Sequence, residues 1–338
     1  MSSDPTEIAP FLFELSGEHA SLPAAEVMAC VEAECPDYRL TLQGPGYLIV
    51  EADTIGVEKV ATRLALTHRL GRVVGNMDDR GGLHFAEEII EEGSVAVRIK
   101  RYQMYGSGID VMDLTKKVGS IITEGREVDL DHPDKEIRGF MSDRTFFYLK
   151  THEIDRGQFD RRAVKERPFF SPISLHPRLA RALVNLTSVR KGESLLDPFC
   201  GTGGILIEAA LLGVNAMGSD LSPKMIEGCA ENMDHFGLDP DRLEVLDIGD
   251  VPSTFGEVDA IVTDPPYGRS ASTNKEALNS LYGRSMGIFH KTLRPGHRLG
   301  IAYPREVVSV PGLDLLQTHV QRVHRSLDRR YCVYRRST

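Results

Sequence analysis

The sequence predicts an α/β protein built on a doubly wound, mostly parallel sheet with one antiparallel edge strand, preceded by a smaller α+β region. From residue 169 onward, short apolar stretches alternate with amphipathic ones, which is the pattern of βα units. The chain closes with two strand-like stretches that have no helix between them, and this indicates a hairpin and one antiparallel strand. With 338 residues, 41% of them hydrophobic, the chain can form two or three domains, and a disordered chain is excluded.

The N-terminal elements are predicted from capping residues and from alternation. Ser21 and Pro23 suit a helix start, and the apolar–polar alternation of residues 94–101 is typical of a strand. The two-residue break at 143–144 suggests a hairpin turn. The expected helices cover 24–33, 57–69 and 114–122, and the expected strands cover 46–51, 94–101, 136–142 and 145–150.

The C-terminal elements follow a charged stretch without periodicity, residues 151–168, which we interpret as a linker. Beyond it we expect strands at 194–198, 215–220, 243–247, 259–263, 298–303, 315–323 and 330–335. The expected helices cover 204–212, 223–236 and 275–293. The resulting organisation has modules at 1–55 and 56–150, a linker at 151–168 and an α/β domain at 169–338.

The charge is distributed unevenly along the chain. Residues 1–60 contain eleven acids and two bases, which accounts for the whole net charge of −9, and the remainder is neutral. Bases cluster at 95–118 and 322–338. Each cluster fits either a solvated face or a nucleic-acid contact, and for the latter the local patch matters more than the total charge.

Several classes of protein are excluded by composition. No stretch approaches the roughly 18 uninterrupted apolar residues of a membrane helix, and the polar, acidic start of the chain does not resemble a secretory signal. The five cysteines form no C-x-x-C pair, which argues against a disulfide framework and a thiolate metal site. We expect no bound metal and a cytoplasmic location.

The first chemical motif is the glycine-rich stretch 195–204, which ends a strand and opens a helix. Such a turn lets a ligand approach the backbone at the carboxyl edge of the sheet, and it also fits dinucleotide binding. The preceding Asp197 argues against a dinucleotide, because its charge would repel a pyrophosphate. It could instead hold the ammonium of S-adenosylmethionine. We interpret Cys200 as a small residue of the turn.

Two further acids end the next two strands. Asp220 is placed to accept hydrogen bonds from ribose hydroxyls, although an acid there could also cap the following helix, a role that Ser222 could fill instead. Asp247 could accept from the adenine amine, with the backbone N–H of Ile248 beside it. The alternative for Asp247 is a structural turn before Gly249.

The most informative motif is Asp264, Pro265, Pro266 and Tyr267, directly after the fourth strand. Consecutive prolines fix an extended backbone, which aims the Asp264 carboxylate and the Pro265 carbonyl at one point. If both accept N–H bonds from an exocyclic amine, the nitrogen lone pair can face a sulfonium methyl, and Tyr267 can stack on the base. The base must leave its stack to reach this pocket. The alternative is a tight turn of structural value only.

These motifs, in this order, resemble the class I S-adenosylmethionine-dependent amino-methyltransferases, which have a Rossmann-like fold. Residues 170–186 resemble the segment before the first motif in tRNA guanine-N2 methyltransferases, and residues 94–150 are similar to the RNA-binding THUMP domain. The whole chain resembles the archaeal and eukaryotic family that methylates the N2 amine of guanine 10 in tRNA. The resemblance implies a ferredoxin-like module before the THUMP domain.

The resemblance also implies a division of labour and a set of site residues. The N-terminal half would bind tRNA, with Arg98, Lys100 and Arg101 contacting phosphates, although Arg101 points to the opposite face of its strand. Some family members need a small zinc-binding activator protein, a further candidate partner. The implied S-adenosylmethionine site comprises Phe170, His176, Asp197, Phe199, Gly201, Gly203, Asp220, Leu221, Asp247 and Ile248.

Two other functions remain open at this stage. A DNA adenine-N6 methyltransferase uses a similar tetrad, but only about 30 residues separate Tyr267 from the next expected strand, too few for a sizeable target-recognition region. A non-catalytic RNA-binding protein is the second alternative. The intact set of strand-end acids argues against it.

Overall fold

The computed structural model describes residues 7–86, 93–171, 174–266, 278–303, 309–324 and 327–338. The chain forms two compact units. The first contains the residues up to 154 except 28–33 and 63–65, which group with the second unit, residues 155–338. In the described ranges, no helix is both long and apolar enough to cross a membrane.

The first unit is built on an eight-stranded sheet with the order β2-β3-β1-β4-β8-β7-β6, and β5 pairs with β4 outside this path. All neighbours are antiparallel except β6 and β7. The elements up to residue 154 are β1 (Ile8–Leu15), α1 (Leu22–Glu34), β2 (Tyr38–Gly44), β3 (Tyr47–Asp53), α2 (Thr54–Arg63), β4 (Thr67–Met77), β5 (Leu83–Phe85), β6 (Val95–Arg101), α3 (Val111–Ile122), β7 (Lys135–Met141) and β8 (Thr145–Glu153).

Helix α3 shows how the local sequence fixes an element. The Asp110 carboxylate caps it by accepting hydrogen bonds from the backbone N–H groups of residues 112 and 113, which satisfies donors that a helix start leaves free. Its buried residues Leu114, Val118 and Ile122 recur at helical spacing and pack into a core with Val95, Ile137 and other strand residues. The helix therefore covers the β6–β7 part of the sheet.

Five N-terminal elements differ from the sequence prediction: α2, β1, β2, β4 and β5. The helix expected at 57–69 ends at Arg63, and β4 begins at Thr67, because residues from Thr67 onward pair with both β1 and β8. The apolar residues at helical spacing gave no sign of this pairing. Strands β1, β2, β4 and β5 were not predicted. Long-range ladders make strands of β1 and β2, since β1 pairs with β3 and β4 and β2 pairs with β3.

The second unit is built on a seven-stranded sheet with the order β11-β10-β9-β12-β13-β15-β14. Strands β9 to β13 are parallel, and β15 runs antiparallel to both of its neighbours. Its elements are α4 (Gly157–Asp160), α5 (Pro177–Leu186), β9 (Ser194–Asp197), α6 (Gly204–Ala210), β10 (Asn215–Asp220), α7 (Pro223–His235), β11 (Arg242–Val245), α8 (Val251–Phe255), β12 (Val258–Thr263), α9 (Leu278–Thr292), β13 (Leu293–Tyr303), β14 (Leu313–His324) and β15 (Leu327–Arg336).

This topology is that of a doubly wound α/β fold, as predicted, with the antiparallel strand one place in from the edge and β14 outside it. The strand order reverses between β9 and β12, and ligands of such folds bind at the carboxyl ends of the strands beside this reversal. The stretch interpreted as a linker contains the end of β8, the short helix α4 and Phe159, which is fully buried. The proposed domain boundaries stay a prediction.

Candidate active site

Asp197 lies at the end of β9, where the strand order reverses, and is almost completely buried. Its Oδ1 accepts a hydrogen bond from Thr263 Oγ1 at 2.7 Å and from the backbone N–H of Phe199 at 3.1 Å. Burial raises the pKa of Asp197 to about 7, against the effect of these hydrogen bonds. The charges of Asp264 and Asp220 raise it further, so the ends of three parallel strands bring three predicted acids together.

The glycine-rich turn after β9 leaves room for a ligand. Gly201 and Gly203 have φ angles of +50° and +81°, which side-chain-bearing residues rarely adopt. A side-chain carbon at Gly203 would lie 2.7 Å from Cys229 Sγ, whereas one at Gly201 would meet nothing within 4 Å among the described residues. The turn therefore presents open backbone at Gly201.

Asp220, at the end of β10, holds the same turn in place. Its Oδ2 accepts from the backbone N–H of Gly201 at 3.2 Å, and its Oδ1 accepts from the backbone N–H of Ser222 at 2.9 Å. Burial raises its pKa, although hydrogen bonds from Ser222, Gly201 and Leu221 oppose the rise. Ser222 is the N-cap residue of α7, but its side chain makes no capping bond. Leu221 is 41% exposed beside the carboxylate.

Asp247 already has a cationic partner. Its carboxylate forms an ion pair with the guanidinium of Arg284 on α9, and Oδ1 also accepts from the backbone N–H of Gly249 at 2.8 Å. The hydrogen bond from Arg284 is the largest of several effects that hold the pKa of Asp247 below its ordinary value. Ile248, next to it, is buried in the core. Any ligand that uses Asp247 must share it with Arg284.

Asp264 follows β12 directly and has an incomplete hydrogen-bond environment. Its Oδ1 is buried and finds no hydrogen-bond partner within the described part of the chain. Burial raises its pKa to about 7, while the positive charge of Arg329 opposes the rise. A buried carboxylate oxygen without a donor carries a large desolvation penalty, so this oxygen is suited to a ligand that brings its own N–H.

The two prolines after Asp264 are held from the α9 side. The Pro266 carbonyl accepts a hydrogen bond from the Tyr282 hydroxyl at 2.8 Å, and the Tyr282 ring packs edge-on against Tyr303 at 5.1 Å. Pro265 is buried. The fourth residue of the predicted tetrad, Tyr267, lies outside the described residues.

The aromatic and histidine candidates have different surroundings. Phe170 is 61% exposed, and Phe199 is partly buried against the core beside the turn. His176 is the N-cap of α5: its Nδ1 accepts from the backbone N–H of Arg178 at 3.3 Å, and its Nε2 lies 3.4 Å from Asp160 Oδ1. Burial lowers the pKa of His176, so it is an uncharged cap at neutral pH.

The three predicted RNA contacts lie on β6. Arg98 donates to the Leu130 carbonyl at 2.6 Å and lies 3.2 Å from Glu136, and Arg101 donates to the Ile109 carbonyl at 2.5 Å. Lys100 is exposed on the same face as Arg98. Of the three, Lys100 is therefore the most available for a phosphate.

Glu136 is the centre of a basic cluster that the sequence did not indicate. Besides Arg98, the cations of Arg138 and Lys150 each lie 2.5 Å from its carboxylate. Burial opposes ionisation, but hydrogen bonds from Lys150 and Arg138 outweigh it and lower the pKa of Glu136 to about 2. Three cations thus surround this one carboxylate, and Lys150 also lies 3.5 Å from Glu153.

Several functional contacts were missed by reasoning from the sequence. Thr263 was treated as the end of a strand, and its hydroxyl binds Asp197. Tyr282 and Arg284 were placed in a helix without a role, and they contact Pro266 and Asp247. Polar residues at adjacent strand ends would have suggested Thr263, but no local signal marks the α9 residues.

The site fits the methionine end and the adenosine of S-adenosylmethionine by its chemistry. Asp197, Asp220 and Asp264 have raised pKa values and lie at the strand ends, near the open backbone of the glycine-rich turn. A ligand with cationic groups and hydroxyls requires acceptors of this kind. Together with the strand order, these features define a Rossmann-like, class I methyltransferase that uses S-adenosylmethionine as methyl donor.

Comparisons with known proteins show which family within this class the chain resembles. The family described as RMKL-like, methyltransferase domain matches residues 165–329. A tRNA (guanine(10)-N2)-dimethyltransferase of Methanothermobacter thermautotrophicus is 37% identical over 332 residues, which cover 93% of this chain and 96% of the relative. One from Pyrococcus abyssi is 34% identical over 338 residues, with 96% and 98% covered. The structure of TrmN from Thermus thermophilus shares the fold, with a TM-score of 0.53, 24% identity and coverage of 97% and 100%.

The chain belongs to the family of the tRNA (guanine(10)-N2)-dimethyltransferases, which it matches along nearly its whole length.

Proposed function

We propose that this protein transfers methyl groups from S-adenosylmethionine to the exocyclic N2 amine of guanine 10 in tRNA. The observation that carries the proposal is the buried Oδ1 of Asp264 at the switch point of the sheet, for which the described part of the chain offers no hydrogen-bond donor. The names of relatives at 30–37% identity over most of the chain supply the substrate.

The chemistry assigns a role to each group of the Asp264 motif. The bound methyl donor supplies an electrophilic sulfonium methyl. Asp264 accepts one N–H of the guanine amine and the Pro265 carbonyl accepts the other, so the nitrogen lone pair leaves the plane of the ring. Asp264 also favours loss of the proton as the C–N bond forms. Tyr282 fixes the Pro266 carbonyl, and Tyr267 stacks on the base.

The cofactor roles follow the positions of the acids. Asp197 binds the ammonium group, Asp220 the ribose hydroxyls and Asp247 the adenine amine. The backbone at Gly201 and Gly203 approaches the ligand most closely. The remaining members of the proposed site are Phe170, His176, Phe199, Leu221 and Ile248, and of these His176 acts through its cap of α5.

We further propose that the ferredoxin-like and THUMP modules, residues 1–55 and 56–150, provide most of the tRNA affinity. Lys100 is exposed, whereas Arg101 is engaged within the chain. Lys100→Ala is therefore expected to lower the slope of log affinity against log salt by about one, as loss of one phosphate contact does. Arg101→Ala serves as the matched control and is expected to leave the slope unchanged.

The relatives' names support two methyl transfers. After the first transfer, the nitrogen keeps one N–H, which either Asp264 or the Pro265 carbonyl can accept. All five cysteines are buried and none is in a disulfide, which supports a reducing cytoplasm as the site of action.

The decisive test is transfer of tritium from labelled S-adenosylmethionine to tRNA, ribosomal RNA and duplex DNA in parallel. We expect label on tRNA alone, and mass analysis should identify N2,N2-dimethylguanosine at position 10. Label on DNA alone would instead identify an adenine-N6 methyltransferase. Running the assay with the purified chain alone, and then with an activator protein, tests for a partner requirement.

A further inference from the structure

Arg167 is a buried cation with two unused donor groups. It is 5% exposed, and its Nη1 and Nη2 atoms are buried with no hydrogen-bond partner in the described ranges. Only its Nε is engaged, donating to the Arg162 carbonyl at 3.0 Å. Buried arginines are normally paired, because an unpaired guanidinium loses its hydration without compensation. Among the described residues, Arg167 therefore has no anionic partner.

The neighbouring acid cannot supply that anion. Glu208, the fully buried carboxylate of α6, accepts from Arg162 Nε at 2.8 Å and Nη2 at 3.0 Å. It also lies 2.9 Å from Arg181 Nη2. One carboxylate thus pairs with two arginines. Together with Arg167, these groups carry a net positive charge.

The guanidinium of Arg167 lies against the glycine-rich turn. A side-chain carbon added at Gly204 would be 3.2 Å from Arg167 Nη1 and 2.9 Å from Ser174 Oγ. Asn232 holds the segment there, since its side chain bonds the backbone of Phe169 and the carbonyl of Thr202. The unused donors therefore sit beside the turn that Asp197 precedes.

We propose that Arg167 binds the carboxylate of the methionine end of S-adenosylmethionine, opposite the ammonium group bound by Asp197. A planar guanidinium with two free N–H groups matches a carboxylate in a two-point contact. A nucleic-acid phosphate cannot be the partner, because a side chain this buried is out of reach of a polymer. The inference rests on the proposed methyl-donor site and extends it to the amino-acid end.

The test compares ligands with and without the amino-acid carboxylate, using calorimetry on the full chain. The ligands are S-adenosylmethionine, S-adenosylhomocysteine, decarboxylated S-adenosylmethionine and 5′-methylthioadenosine. Arg167→Met is expected to weaken the two carboxylate ligands by about 10–100-fold, the loss expected for a hydrogen bond to a charged group. The other two ligands should change by less than about threefold.

Thermal stability without ligand separates binding from structure. Arg167→Met removes an unpaired buried charge, so its Tm should equal or exceed that of the parent. The matched control Arg162→Met breaks the pair with Glu208 and should lower Tm while leaving ligand discrimination intact. Arg167→Lys keeps the charge but loses the two-point contact of the guanidinium. Its affinity for the carboxylate ligands should lie between those of the parent and the Met variant.

Two results would overturn the inference: equal loss of affinity for all four ligands, or destabilisation of Arg167→Met comparable to that of Arg162→Met. Either would give Arg167 a structural role. A parent protein that binds none of the ligands would instead refute the methyl-donor site itself.

Discussion

Replacing Asp264 with Asn should stabilise the protein at alkaline pH while removing most of its activity. Burial raises the pKa of this carboxyl from 3.8 to about 7. Between these two pH values the unfolded chain is ionised while the folded chain still holds the proton. The folded state therefore loses stability as pH rises through this window, and the loss is complete above about pH 7.

The magnitude follows from the size of the pKa change. Each pKa unit is worth about 1.4 kcal/mol, so the penalty at pH 8 is at most about 4 kcal/mol. Asp264 keeps partial exposure, and screening by solvent reduces the expected value to roughly 2 kcal/mol. We expect Asp264→Asn to be more stable than the parent by about this amount at pH 8, and by almost nothing near pH 4.

Urea denaturation at pH 4 and pH 8 measures the effect, and Asp259→Asn is the matched control at the other end of the same strand. Burial raises the pKa of Asp259, but hydrogen bonds from Ser194 and Arg294 outweigh burial and lower it. Its contribution is present above its unfolded pKa and is lost as pH falls, so the Asn variant should be less stable than the parent at pH 8.

The activity of Asp264→Asn supplies the second measurement. Loss of a preorganised acceptor should slow single-turnover methyl transfer by about 10²–10³-fold, with S-adenosylmethionine affinity nearly unchanged. Asn can still accept through its amide oxygen, so Asp264→Ala should be slower still. A stability gain that is the same at both pH values would refute the buried-charge reasoning. If the Ala variant transferred methyl groups at the parent rate, Asp264 would not be part of the catalytic centre.

Three further substitutions test other contacts. Asp220→Ala should weaken S-adenosylmethionine binding by ~1–3 kcal/mol, measured by calorimetry, and unchanged affinity would exclude the ribose contact. Tyr282→Phe frees the Pro266 carbonyl and should slow methyl transfer without weakening cofactor binding, which equilibrium binding and single-turnover rates can separate. Arg284→Met should raise the pKa of Asp247 by NMR titration, yet destabilise the protein by less than ~1 kcal/mol in urea because the pair is exposed; a larger cost would mean that the pair is structural.

The strand-end acids could be predicted from the sequence because parallel strands meet at one edge. Once βα alternation was recognised, Asp197, Asp220 and Asp264 had to lie at that edge, and the structure brings them close enough to raise the pKa of Asp197. Their predicted ligands remain to be tested. What could not be predicted was the choice of partners, because Arg284 lies 37 residues from Asp247.

The same limit applies to the first unit. The alternation in β6 and the spacing of α3 are local signals, and both elements were predicted. The sequence of β4 carries apolar residues that also suit a helix, and its identity as a strand depends on partners on both sides.

That double pairing of β4 has a consequence for how the chain can be divided. Cutting between residues 55 and 56 would take β1 away from β4 and leave the backbone of residues 67–72 without the ladder that it forms with β1. An exposed edge of this length is a template for association with another chain. Recombinant fragments that begin near residue 56 should therefore aggregate. The two modules should be expressed together, and we expect them to have evolved as one unit.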